Sequence, residues 1–135
     1  MDRQNHNDLT GKIIKCFYTV YNNIGFGFLE KVYENALDIE LRLAGLNVMR
    51  QKPIQVLYRG AVVGEYFADM LVEDSIIVEI KGVQKLTSEH ESQLINYLAS
   101  TGIALGLLLN FGPKPEVMRK IHTRNQPDYG SNNDK

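Results

Sequence analysis

Glu79 and Lys81 interrupt the short apolar run Ile76-Ile77-Val78-Glu79-Ile80-Lys81. On a strand, side chains two apart share a face, so Glu79 and Lys81 project together while Val78 and Ile80 enter an apolar layer on the other side. A three-residue turn between Val72 and Ile76 places Asp69 across from Glu79 on the same face, with their Cβ atoms about 4.5–5.5 Å apart. Two carboxylates so placed repel, and a bound cation relieves the repulsion. Hard carboxylate oxygens suit Mg²⁺ or Mn²⁺ and leave waters on the ion, which polarises a phosphate ester and activates a bound water. Lys81 beside it positions or deprotonates the attacking water, or stabilises charge developing on phosphate. Spacing alone also admits a plainer arrangement, a cross-strand salt bridge between Lys81 and Asp69 on a solvated sheet face.

The elements that must position these residues are legible from periodicity. Ile13, Ile14, Phe17, Val20, Tyr21 and Ile24 recur at helical spacing, predicting a helix from about Leu9 to Asn23 that ends at Gly25. After Gly25-Phe26-Gly27, a second helix shows a face of Leu29, Val32, Tyr33, Ala36, Leu37, Glu40, Leu41 and Ala44, closed by Gly45. From Pro53 the texture turns β-branched and aromatic, giving a meander over Ile54 to Tyr58, Val62 to Val72 and Ser75 to Lys81. Ser88 and Glu91, in capping-box spacing, announce a helix to Ser100 that stops at Gly102. Ile103 to Phe111 reads as a strand buried on both faces, and Val117 to Ile121 as a short edge strand. The order predicts an α/β domain with a central mixed sheet flanked by helices, covering residues 9–122 between a flexible N-terminus at 1–8 and a flexible tail at 123–135.

A chain of 135 residues is expected to form one domain with its own core. One cysteine, Cys16, cannot make an internal disulfide, and no apolar run approaches a signal peptide or a membrane span. A cytoplasmic protein without membrane association is the expectation. The formal net charge of −1 means that the overall field does not attract nucleic acid, so such binding requires a local basic surface. Lys31, Arg42, Arg50, Lys52, Arg59, Lys85 and Lys114 are scattered along the chain. There is no CxxC or HExxH zinc spacing and no phosphate-binding glycine loop.

Asp69 followed ten residues later by Glu79-Ile80-Lys81 resembles the D…ExK core of the PD-(D/E)XK nucleases, with Ala68 where the family name has proline. Gln93-Leu94-Ile95-Asn96-Tyr97 resembles the QxxxY motif of the RecB-like and phage-exonuclease-like branch, its Gln and Tyr sharing one helical face. Gly27-Phe28-Leu29-Glu30-Lys31-Val32-Tyr33 is similar to the signature of the small prokaryotic GxxExxY proteins. The resemblance runs from about Leu9 to Ile121. It implies a restriction-endonuclease-like core, a Mg²⁺- or Mn²⁺-dependent nuclease, and DNA rather than RNA as substrate. It also implies that Glu30 joins Asp69 and Glu79 as a metal-shell carboxylate, with Lys81 and Gln93 completing the catalytic set. Tyr97 and Tyr33 would support the site or touch substrate, whereas Tyr33 as core packing is at least as good a reading.

His90, one turn before Gln93, is a candidate phosphate contact, though a solvated histidine at a helix start is the commoner case. Glu65 shares the parity of Asp69 and is a candidate spare ligand. The alternative function is a catalytically silent module of the same fold that binds nucleic acid or a protein. A nuclease this small has limited surface with which to grip DNA, which a homodimer or a partner protein would enlarge.

Overall fold

The computed structural model describes residues 3–123. Helices α1 (Arg3–Ile24) and α2 (Glu30–Leu43) precede strands β1 (Val48–Tyr58), β2 (Ala61–Val72) and β3 (Ile76–Lys81). Helix α3 (Ser88–Thr101) and strands β4 (Leu105–Phe111) and β5 (Pro115–Ile121) follow. The strands form one sheet in chain order, antiparallel except for the parallel pair β3 and β4, which α3 connects. The expected α/β class and mixed sheet flanked by helices are therefore found. No helix among the described residues is long and apolar enough to cross a membrane.

Each face of the sheet carries its own apolar layer. Ile13 and Phe17 of α1 and Tyr33 and Leu37 of α2 pack against Val78, Ile80, Leu107 and Phe111. Phe111 is the hinge of this layer, stacked on Tyr33 at 4.3 Å between ring centres and met edge-on by Phe17 at 4.7 Å. On the other face Leu94, Tyr97 and Leu98 of α3 cover Ile54, Ala68, Ile77 and Leu108. Strands β3 and β4 are covered on both sides, which is why they read as almost continuous apolar runs.

Some boundaries differ from expectation for identifiable reasons. Helix α1 begins at Arg3 rather than near Leu9, and its first turns are tied to β5 by Arg119 donating to Asn7 Oδ1 at 3.2 Å. Strand β1 starts at Val48 and runs through Pro53, which an edge strand tolerates because its missing N–H need not serve a ladder on both sides. Leu29 is not on the core face; it precedes α2 in an extended conformation and is 80% exposed. The cap of α3 is Thr87, not Ser88: its hydroxyl accepts from His90 N, and His90 Nδ1 accepts from Thr87 N at 3.0 Å, the part a glutamate commonly takes. Of the expected C-terminal tail, all but residue 123 lies outside the described residues, as do the first two residues of the N-terminus.

The β1–β2 hairpin carries a crease that decides where the functional residues sit. Met70 and Val72 face α1 and α2, yet Ala68, of the same parity, packs on the α3 side, and the Tyr66 ring meets Tyr97. On β1, Val48 and Arg50 likewise turn toward α1 and α2, whereas Ile54 faces α3. The reversal occurs between Arg50↔Met70 and Lys52↔Ala68, where the pairing omits a step without changing register, Gln51 adopts a left-handed φ of 54° and Asp69 lies across from it. Beyond the crease Glu65 alternates with Tyr66 and is exposed, turned from α3.

Candidate active site

Strands β2 and β3 pair at Val72↔Ile76, Leu71↔Ile77 and Met70↔Val78, and the next step of that register joins Asp69 to Glu79. There the backbone ladder gives way to side chains. The Asp69 N–H donates to Glu79 Oε2 at 2.8 Å, and the Ile80 N–H donates to Asp69 Oδ2 at 2.7 Å. Each carboxylate thus accepts from the backbone of the opposite strand, which satisfies amides the parting strands would otherwise strand and fixes both acids in orientation.

Glu30, the first residue of α2, reaches the same end of β3 from the other layer, its Oε2 accepting from Gly82 N at 2.9 Å. The preceding loop is shaped by Gly27, whose φ of 117° a side chain would oppose, and by Tyr33. The Tyr33 hydroxyl donates to Gly25 O at 2.6 Å and accepts from Phe28 N at 3.2 Å. Tyr33 is fully buried against Phe111, so it does not enter the site; it braces the loop that presents Glu30.

Lys81 Nζ donates to Gln93 Oε1 of α3 at 3.5 Å. Among the described residues no carboxylate lies within ion-pairing distance of it, so the salt bridge to Asp69 that spacing admitted is not formed. Tyr97, one turn after Gln93, is 7% exposed, and burial followed by Glu79 and Asp69 pushes its phenol up to about 12, keeping the hydroxyl a donor. His90 spends Nδ1 on the cap of α3, which gives it a structural use that sequence did not foresee.

Burial, then the neighbouring Asp69, pushes the Glu79 carboxyl up to about 8. Burial also raises Asp69, with Glu34 and Glu30 adding to the effect against the Ile80 hydrogen bond and Lys81. A carboxyl so raised favours its protonated form, which a bound cation would displace. Asp69, Glu79 and Glu30 each commit one oxygen to a backbone N–H, and among the described residues the second oxygen of each has no protein donor. Free, hard oxygens that burden one another with negative charge suit a divalent cation. No three acidic, histidine or cysteine side chains among the described residues are gathered tightly enough to enclose an ion. The set fits an ion that takes one or two carboxylates and completes its shell with water and substrate, as Mg²⁺ does.

Two groups escaped sequence reasoning. Glu34, 4% exposed, accepts from Arg50 Nε at 3.0 Å, faces Lys31 Nζ at 3.6 Å, and accepts from Gln51 Nε2 at 3.3 Å, bracing the crease opposite Asp69. Its signal was a carboxylate in line with Leu37 and Leu41 on the buried face of α2. Asn110, fully buried, accepts from Val83 N at 2.9 Å and donates to Val83 O at 3.0 Å and Glu116 Oε1 at 2.8 Å. Glu116 in turn accepts from Leu86 N at 3.0 Å, so this pair clamps the loop from Lys81 to α3. An amide inside the apolar run Leu105–Phe111 was the available clue, since a buried polar group needs partners.

A mixed sheet between helices, with acids and a lysine where two strands part, defines an α/β protein with a polar cluster at the end of its central strands. Residues 7–121 match the model of the PD-(D/E)XK nuclease superfamily, and the chain belongs to that superfamily. Among solved structures it is similar to a protein described as SSO0001, at 19% identity and a TM-score of 0.56 over 70% of this chain and 50% of that one. It is also similar to an alkaline exonuclease, LHK-Exo, from Laribacter hongkongensis, at 17% identity and a TM-score of 0.52 over 68% of this chain and 55% of that one. The chain thus spans about half the length of these structures, and the likeness is one of fold. No curated protein matches it.

Proposed function

We propose that this protein is a divalent-metal-dependent nuclease that hydrolyses phosphodiester bonds in nucleic acid, DNA in particular, from a unit spanning residues 9–122. The observation that carries the reading is the exchange of carboxylate-to-backbone bonds between Asp69 and Glu79, which among the described residues leaves an oxygen of each without a protein donor, near a lysine that forms no direct ion pair. Asp69, Glu79 and Glu30 would share Mg²⁺ or Mn²⁺, one or two carboxylates directly and the remainder through its waters. Such an ion, when bound, supplies Lewis-acid polarisation of phosphate and a more acidic water. Lys81 stabilises negative charge growing on the phosphate, and Gln93 orients its ammonium group. Tyr97 keeps its proton and offers a donor near the acids, and Tyr33 holds the loop before Glu30. The Gly27–Tyr33 segment and the Gln93–Tyr97 pair support assignment to the GxxExxY proteins and the RecB-like branch.

The test is cleavage of single-stranded, duplex, nicked and branched substrates with Mg²⁺, with Mn²⁺ and with chelator, in the wild type and in Asp69→Asn. Metal-dependent cutting that Asp69→Asn abolishes is expected. A wild type that binds metal but cuts no substrate would instead establish the catalytically silent binding module.

A further inference from the structure

Beside the acids, the exposed face of α3 and the far half of the β1–β2 hairpin enclose a groove of about 600 Å³. Ser92, Gln93, Asn96 and Ser100 contribute hydroxyl and amide groups from α3, and Tyr66 and Tyr97 contribute aromatic rings. Gln93 belongs both to this wall and to the site, because it accepts from Lys81 Nζ. The groove therefore adjoins the acids and Lys81.

Its lining contains no lysine or arginine, and its single charge is that of Glu89. A duplex presents phosphates outward and keeps its bases stacked inside. Against this wall it would place anions where no cation neutralises them, and cation–phosphate contacts are what hold duplexes without regard to sequence. An unpaired strand can turn its bases inward instead. Base stacking on an aromatic ring tolerates any base, and the strand's phosphates can then face away from the wall toward solvent. Tyr66 is suited to this, since the residue is 48% exposed although its ring centre lies 5.9 Å from that of Tyr97. The ring lies back over Gly64, where even a methyl group would come within 3.3 Å of it. Hydroxyl and amide groups along α3 can satisfy the edges of an extruded base, as single-strand recognition requires. A volume of this size takes a molecule of one or two nucleotides, not a double helix.

We propose that the groove between α3 and the β1–β2 hairpin binds unpaired nucleotides, with Tyr66 as the stacking platform and Ser92 and Asn96 as base-edge contacts, and that it directs a single strand to the carboxylate site. This rests on the nuclease reading, whose metal site it adjoins.

The experiment measures anisotropy of fluorescein-labelled oligothymidylate, oligouridylate and a blunt DNA duplex of equal length, with the full chain in EDTA. Cleavage of the same three is then measured with Mg²⁺ and Mn²⁺. Expected are tighter binding of single strands than of duplex, a roughly 5- to 100-fold loss in Tyr66→Ala from one stacked base, and recovery in Tyr66→Phe. Asn96→Asp, on an exposed helix position, adds repulsion without touching the core and is expected to weaken single-strand binding as well. The two single-stranded arms show whether DNA or RNA is preferred. Duplex bound as tightly as single strand, no binding at all, or unchanged affinity in both Tyr66→Ala and Asn96→Asp overturns the groove assignment. Selective single-strand binding without cleavage of any substrate supports the groove and overturns the nuclease reading, so the two fail separately.

Discussion

Replacing Glu79 by glutamine is expected to make the metal-free protein more stable in mild alkali, although it removes a proposed metal ligand. A carboxyl raised in the folded state binds its proton more tightly there than in the unfolded chain, so its contribution to stability falls as pH rises through the interval between the two values. For Glu79 that interval runs from its ordinary 4.5 to about 8. At ~1.4 kcal/mol for each pH unit, the ceiling is roughly 5 kcal/mol, a large share of the roughly 5–15 kcal/mol that holds a domain together. Glutamine keeps a carbonyl oxygen to accept from Asp69 N, and it does not titrate. Urea denaturation near pH 5 and near pH 8, in EDTA and in Mg²⁺, reads the effect. The wild type should lose stability toward pH 8 in EDTA and regain it with Mg²⁺, which favours the ionised pair. Glu79→Gln should lose less and respond little to Mg²⁺. Parallel pH profiles for the two proteins, or equal Mg²⁺ stabilisation of both, would refute the reasoning.

Lys81→Ala should lower the cleavage rate on the order of 10²–10³ while calorimetry shows metal binding retained, because Lys81 opposes the ion electrostatically and is not among its ligands. Gly106→Ala drives a methyl group to 2.7 Å from Leu94 Cδ1 and should cost about 1–3 kcal/mol in denaturant unfolding; an unchanged midpoint would mean that α3 shifts freely. Asn110→Leu leaves the Val83 N–H and C=O without their buried partner and should destabilise by about 2–4 kcal/mol, with faster amide exchange at Val83 and Leu86.

The parities of Asp69, Glu79 and Lys81 were legible because β3 is a regular strand and the turn before it has the length that the pattern requires. Glu73 and Asp74 both take left-handed φ there, so Val72 meets Ile76. The crease was not legible. Alternation assumes one face per strand, and nothing local to Gln51 announces a left-handed residue in the middle of β1. The contacts that accompany the crease are tertiary, the reach of Arg50 and Gln51 to Glu34 on α2. The same limit hid Tyr66, whose exposure and contact with Tyr97 follow from the reversed parity. The Thr87–His90 cap was missed because the imidazole substitutes for an expected acid.

The crease also makes the hairpin a lever with its fulcrum at Gln51 and Asp69. One arm carries Tyr66 along the groove and the other carries Met70 and Val72 into the core, so the load and the anchor lie on opposite sides of the acid between them. If the groove takes a strand as proposed, load on the free arm bears on the residue proposed to meet the ion. On that proposal, grip on substrate and aim of the carboxylate would share one mechanical coordinate, with the hydrogen bond from Ile80 N holding Asp69 in place.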